Sequence, residues 1–243
     1  MREIKITESS VRYDNLIYVK NALKDITVQI NAKTTLQNYK NRCEFIVLVP
    51  DEYLEIFLLE LRDKLADVIA VNYKHKFFKR KIKFSGLSEI ESELLLTSLI
   101  SADVDEDKKY AVKKLKGFDE YSLDGIFNFR MKPLKEKWRE IAGYIPPSFT
   151  KAQLKDFINY LIKDKKGKRV YVEGGNVYDK RFNLLNRNQL LTLDSGNLKV
   201  IKEVLLSGAG EVELCSPISE TDNKYLKEFY DNKIYFNDGY FGL

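Results

Sequence analysis

Two hydrophobic periods alternate along this 243-residue chain. Ile4 and Ile6 alternate with polar neighbours, the period-two pattern of a half-buried strand. From Asp14 to about residue 24, Leu16, Ile17, Val19 and Leu23 recur at helical spacing. Ile26, Val28 and Ile30 return to alternation and predict a second strand, and the polar residues 31–43 read as a loop or ragged strand. The run EFIVLV at 44–49 predicts a third strand, apolar enough for a sheet interior. Pro50, Asp51 and Glu52 mark a helix start, with proline in the first turn and acids at the positive end of the macrodipole. Leu54, Phe57, Leu58, Leu61, Leu65, Val68 and Ile69 give that helix an apolar face, and the pattern can run on past Tyr73 toward Phe84.

Gly86 interrupts, and Ser88 with Glu91 three positions later reads as the next helix start. Ile90, Leu94, Leu95, Leu99 and Ile100 make that helix mostly buried, and another is expected near 106–117. Residues 121–145 hold the only Trp, with Phe127, Met131, Leu134, Trp138 and Ile141 three or four apart. Pro133 lacks an N–H, so a helix should begin near it, with 123–131 a separate turn or short helix jointed at Gly125. After Pro146 and Pro147, Thr150 caps a helix carrying Leu154, Phe157, Ile158, Leu161 and Ile162. Two alternating runs around Gly174-Gly175-Asn176 predict a β-hairpin over 168–179, which Phe182, Leu184 and Leu185 can extend. The remainder predicts a strand at 190–193, a helix at 197–206 with Gly208 as its C-cap, and a strand at 211–215. A helix capped by Thr221 or Asp222 then runs to Tyr230, and a strand at 233–236 closes the series before an aromatic tail. The expected class is α+β and helix-rich: a small mixed sheet at the N-terminus, central helices, then a β-hairpin with a small α/β unit. Segments 1–84, 85–165 and 166–243 follow that order, or form one continuous globular domain.

The 41 basic and 36 acidic residues leave a net charge of +5, which permits contact with nucleic acid or an anionic surface without demanding it. No apolar run approaches the roughly 20 residues of a membrane span, and the N-terminus has no apolar signal core. Cys43 and Cys215 give neither a disulfide framework nor a zinc spacing, so both are expected as free, buried thiols of a cytoplasmic protein. Catalytic signatures are missing: there is one His, no nucleophile elbow and no P-loop. Glu89 and Glu93 read as ordinary helix surface, and the acids from Asp103 to Asp107 as a solvated loop and helix start. No cofactor and no metal are expected, and a non-catalytic role is favoured over an enzyme.

Two stretches could meet a partner. Residues 74–83 interleave basic residues with Phe77 and Phe78 and contain no acid. Lys76, Lys79, Arg80 and Lys81 are thus candidate nucleic-acid contacts. The plainer alternative is a cationic helix C-terminus with both phenylalanines inward and His75 on the charged face. In the central stretch, Phe129, Arg130 and Lys132 could present a fixed charge to a protein partner. For Arg130 the alternatives are burial against Asp119, Glu120 or Asp124, or an outward position with its stem on Phe129.

The string Gly125-Ile126-Phe127-Asn128-Phe129-Arg130-Met131-Lys132 resembles the Gly-Phe-x-x-Phe-Arg-Leu-Lys string of the YtxC-like sporulation proteins of endospore-forming Firmicutes. The specific likeness covers about thirty residues around the string. The resemblance implies a cytoplasmic protein of a spore former and no particular activity. The expected function is a non-catalytic, sporulation-associated interaction module with a protein partner not identified by the sequence. Nucleic-acid binding through 74–83 is the alternative.

Overall fold

The computed structural model describes residues 1–118, 120–163, 165, 167–191 and 198–237. Strand β1 (Arg2–Ser9) and helix α1 (Tyr13–Ala22) follow the expected periods. The next element does not: Ile26 and Val28 lie in helix α2 (Lys24–Gln29), not in a strand. Leu16, Val19, Leu23, Thr27 and Ile30 are all buried while Val28 is exposed, so a helical stripe continuing from α1 overrides the short alternation. The strand falls in the polar residues read as a loop or ragged strand, as β2 (Lys33–Asn38), an edge strand whose charge and threonines suit solvent. After β3 (Arg42–Val49), a single turn at Asp51–Tyr53 leads into α3 (Leu54–Asp67). A π-helical segment, Val68–Tyr73, carries the chain into α4 (Lys74–Lys81).

Helix α5 (Glu89–Ser101) opens with the capping box that Ser88 and Glu91 predict. Helix α6 (Val104–Lys114) and strand β4 (Glu120–Ser122) follow. The central stretch divides into α7 (Leu123–Arg130) and α8 (Lys132–Tyr144), with Pro133 in the first turn of the second. The joint is Met131, not Gly125, which lies inside α7. Helix α9 (Lys151–Lys163) is capped by Thr150 and Gln153 reciprocally. Strands β5 (Arg169–Glu173), β6 (Asn176–Tyr178) and β7 (Leu184–Leu185) lead to a 3-10 turn at Arg187–Leu190, which takes in the first residue of the strand expected at 190–193. Helix α10 (Lys199–Ser207) ends at Gly208, whose φ of 62° supplies the left-handed cap. Strand β8 (Glu211–Leu214), helix α11 (Glu220–Tyr230) and strand β9 (Ile234–Phe236) complete the series. Ser219, rather than Thr221 or Asp222, caps α11 by accepting from the Asp222 N–H. The expected residues 192–193, the helix start at 197 and the tail from 238 lie outside the described residues.

The protein is α+β, with two small mixed sheets and more helix than strand. Its residues group into two compact units: Met1–Lys74 with Asp105–Ile141, and His75–Val104 with Ala142–Leu243. Packing thus draws residues 75–84 to the second unit and 105–141 to the first. The first unit holds a four-stranded sheet in the order β2-β3-β1-β4. Within it β1 is antiparallel to β3, Ile6 opposite Phe45, and parallel to β4, Ile6 opposite Tyr121. Ile4, Ile6, Phe45, Val47, Leu16, Phe57, Leu61 and Trp138 fill its core. The second unit holds a five-stranded sheet in the order β7-β6-β5-β8-β9. Val170, Val172, Val177, Val212 and Leu214 are its buried side chains, and α10 packs on β5 and β6.

Cys43 is a buried free thiol; Cys215, expected buried, is half-buried because it follows β8 at the sheet end. No described helix is long and apolar enough to cross a membrane.

Candidate functional site

The candidate interaction surface is built on the helical phase of α7 and α8. Phe127 and Met131 are four apart and both buried; Leu134 and Trp138 extend the same face. The Phe127 ring stacks on Trp138 at 5.9 Å and lies 4.4 Å from the Tyr73 ring. Trp138 Nε1 donates to Asp107 Oδ2 at 2.8 Å, and Lys74 Nζ donates to the same oxygen at 2.7 Å. Lys137 Nζ meets Oδ1 at 2.9 Å. The Lys74 and Asp107 side chains are fully enclosed. Asp107 is therefore not part of a solvated acidic loop: a buried ammonium requires a paired anion, and Asp107 supplies it.

On this frame Phe129 sits about 200° around the helix from Phe127 and is 85% exposed. Arg130 and Lys132 are exposed beside it. The structure brings these three candidates together at the end of α7 and the start of α8. Arg130 is not buried against an acid. Its guanidinium lies 5.9 Å over the Phe118 ring, and Asp124 is engaged by Arg12 instead. Asp119 lies outside the described residues. Lys132 Nζ is 4.0 Å from Glu136, a one-turn surface pair of the kind worth about 1 kcal/mol or less.

The basic run in the second unit is organised differently. Phe77 and Phe78 are buried, with ring centroids 6.1 Å apart, so neither presents a face for stacking a base. His75 is fully buried rather than on the charged face, with Nε2 3.1 Å from Glu93 Oε2. Lys79 Nζ donates to Glu93 Oε1 at 2.8 Å, and Lys202 Nζ lies 3.7 Å from Oε2. Glu93 is thus the hub of a network, not ordinary surface. The hydrogen bond from His75, then those cations, hold its carboxyl down at about 2 against the opposing effect of burial. Arg80 and Lys81 are exposed and Lys76 half-buried, with Arg80 Nε bonded to the Lys76 carbonyl at 3.2 Å.

A third cluster carries no sequence motif. Glu8, at the end of β1, has an enclosed side chain. Asn15 Nδ2 donates to its Oε2 at 3.1 Å and the Ser9 N–H to its Oε1 at 3.0 Å. The Tyr73 hydroxyl lies 2.9 Å from Glu8 Oε2 and 3.1 Å from Asp124 Oδ1. Arg12 bridges the two carboxylates. Burial, then the hydrogen bond and charge of Asp124, push the Glu8 carboxyl up to about 7. Burial also works to raise Asp124, but the hydrogen bond with Glu8 and the Arg12 charge bring it below the usual range. Of the two carboxyls, Glu8 therefore binds a proton more readily than Asp124. A cleft of about 220 Å³ lies beside the pair, lined by Thr7, Arg42, Asn41, Ser122 and both acids. A general base needs an oxygen within reach of a substrate proton. Both Glu8 oxygens are taken by protein donors and the side chain is enclosed, so the pair acts as a latch joining β1, the π-helical segment and α7. Tyr73, at the last position of that segment, was recognisable in the sequence only as an aromatic in a long helix. Among the described residues, no group of three or more His, Cys, Asp or Glu could hold a metal ion.

No family model, curated protein or solved structure matches this chain.

Proposed function

We propose that this chain is a non-catalytic protein-interaction module whose contact is the exposed triplet Phe129, Arg130 and Lys132. The observation that carries the reading is Phe129: a large aromatic, 85% exposed, on a helix whose opposite face is locked by Trp138 and Asp107. Holding such a ring in water forfeits the roughly 1.5–3 kcal/mol that burial of a large apolar side chain brings. A partner with an apolar pocket rimmed by acids recovers it, and Arg130 and Lys132 supply the matching charge. The cytoplasmic, sporulation-associated setting rests on the likeness of residues 125–132 to the YtxC-like string. Nucleic-acid binding through Lys76, Lys79, Arg80 and Lys81 is the weaker reading, since Phe77 and Phe78 are inward and Lys79 is held by Glu93.

The test is affinity capture from lysate of sporulating cells, with wild type and Phe129→Ala compared by mass spectrometry. The reading expects a partner retained by wild type and lost by the variant at unchanged melting temperature. Identical recovery by both proteins would remove its basis.

A further inference from the structure

The five-stranded sheet of the second unit carries a site that the interaction surface does not use. Along β5 the side chains alternate: Val170 and Val172 are buried beneath α10, while Arg169, Tyr171 and Glu173 take the other face. On that face lies a cavity of about 330 Å³ lined by Tyr171, Glu173, Tyr178, Phe182, Cys215 and Asn237. Tyr171 and Tyr178 are cross-strand partners in the β5–β6 ladder. The Phe182 ring stacks on Tyr171 at 5.0 Å and 28°.

Phe182 is held there by its loop. Its φ of 60° is unusual for a bulky residue. Its N–H donates to the Asp179 carbonyl, and the Asp179 carboxylate accepts from the N–H groups of Arg181 and Asn183. The ring is thus fixed over the cavity before any ligand arrives.

Charge decides what the cavity suits. Among the described residues, Glu173 is the one carboxylate lining it and has no ion-pair partner, and no basic side chain lines it. Arg169, on the same sheet face, is committed to Glu211 at 2.8 Å and Glu213 at 3.1 Å. Burial raises the Cys215 thiol, with the Glu213 and Glu173 charges acting in the same direction, so the thiol adds no negative charge. Aromatic rings beside an uncompensated carboxylate attract weakly hydrated cations. A volume near 330 Å³ lies at the small end of small-molecule sites.

We propose that this cavity binds a small organic cation with a trimethylammonium head, of about the size of choline. The methyl groups would contact Tyr171, Tyr178 and Phe182, and Glu173 would balance the charge. A primary ammonium suits the site less because it is more strongly hydrated. A zwitterion such as glycine betaine would bring a carboxylate toward Glu173.

Calorimetric titration of the full chain with choline, glycine betaine and the neutral isostere 3,3-dimethyl-1-butanol tests this. Saturable one-site choline binding is expected, about tenfold tighter than the isostere and tighter than betaine. Phe182→Ala should weaken it about tenfold and Glu173→Gln several-fold. Both side chains are exposed, so an unchanged melting temperature separates lost binding from lost fold. The proposal is overturned by absent choline saturation at millimolar concentration, by equal binding of the isostere, or by wild-type affinity in both variants. Binding of a trimethyl-lysine peptide without binding of choline would overturn it equally.

Discussion

Residues 74–83 and 125–132 use nearly the same alphabet, phenylalanines beside lysines and arginines, yet the structure treats them oppositely. In α4 both aromatics turn inward; in α7, Phe127 turns inward and Phe129 outward. Spacing explains the difference. Adjacent Phe77 and Phe78 differ by about 100° and can share one broad apolar face, whereas Phe127 and Phe129 differ by about 200° and cannot. Charge closure reinforces it. Lys79 meets Glu93 at 2.8 Å, whereas Lys132 comes only within 4.0 Å of Glu136 and Arg130 lies over the Phe118 ring. A basic aromatic composition therefore does not define a surface; helical phase does.

The strongest way to break this contrast is to truncate one aromatic from each stretch. Phe78→Ala should cost about 3–5 kcal/mol, as for buried aromatics generally, whereas Phe129→Ala should stay within about 0.5 kcal/mol. Urea melts of the two variants give both numbers, and similar losses would erase the distinction. Asp107→Ala should also cost about 3–5 kcal/mol, because it removes the enclosed carboxylate that pairs with the enclosed Lys74. Trp138 fluorescence should shift in that variant, since the indole loses its acceptor. A near-wild-type melt would show that Asp107 does not hold the frame on which Phe129 stands.

The carboxylate hubs of the two units should respond to pH in opposite senses. Glu8 has a raised folded pKa, so its contribution is fully present below the unfolded value of 4.5. It is lost as pH rises to about 7, a change of about 3 kcal/mol. Glu93 has a depressed folded pKa, so its contribution is present above 4.5 and is lost as pH falls toward about 2. Melting curves across this range should show both limbs. Glu8→Gln, which keeps a hydrogen-bond donor toward Asp124, should flatten the upper limb alone. An upper limb that survives this substitution would mean that Glu8 does not carry the proton.

Much of the fold was legible because local chemistry decided it. Ser88 with Glu91, Pro133 after Met131, Gly174-Gly175 and Gly208 each fix a boundary that the structure keeps. Residues 24–30 depart from their sequence pattern because three alternating apolar residues cannot be told from part of a helical stripe until Leu23 and Thr27 share its buried face. Phe129, Arg130 and Lys132 were legible as neighbours, but not the solvent position of Arg130, since Asp124 was equally near in sequence. It took the approach of Arg12, 112 residues away, to claim that carboxylate. Glu8, Tyr73 and Asp124 lie on β1, the π-helical segment and α7, so no spacing in the sequence announces their cluster.

The central claim is that phase, not composition, makes Phe129 the contact. The direct measurement is partner capture with Phe129→Ala set beside the double variant Arg80→Glu, Lys81→Glu, after both melt like wild type. The account predicts that Phe129→Ala loses the partner and the double variant keeps it. Retention by Phe129→Ala with loss from the double variant would contradict the account and place recognition on the basic run.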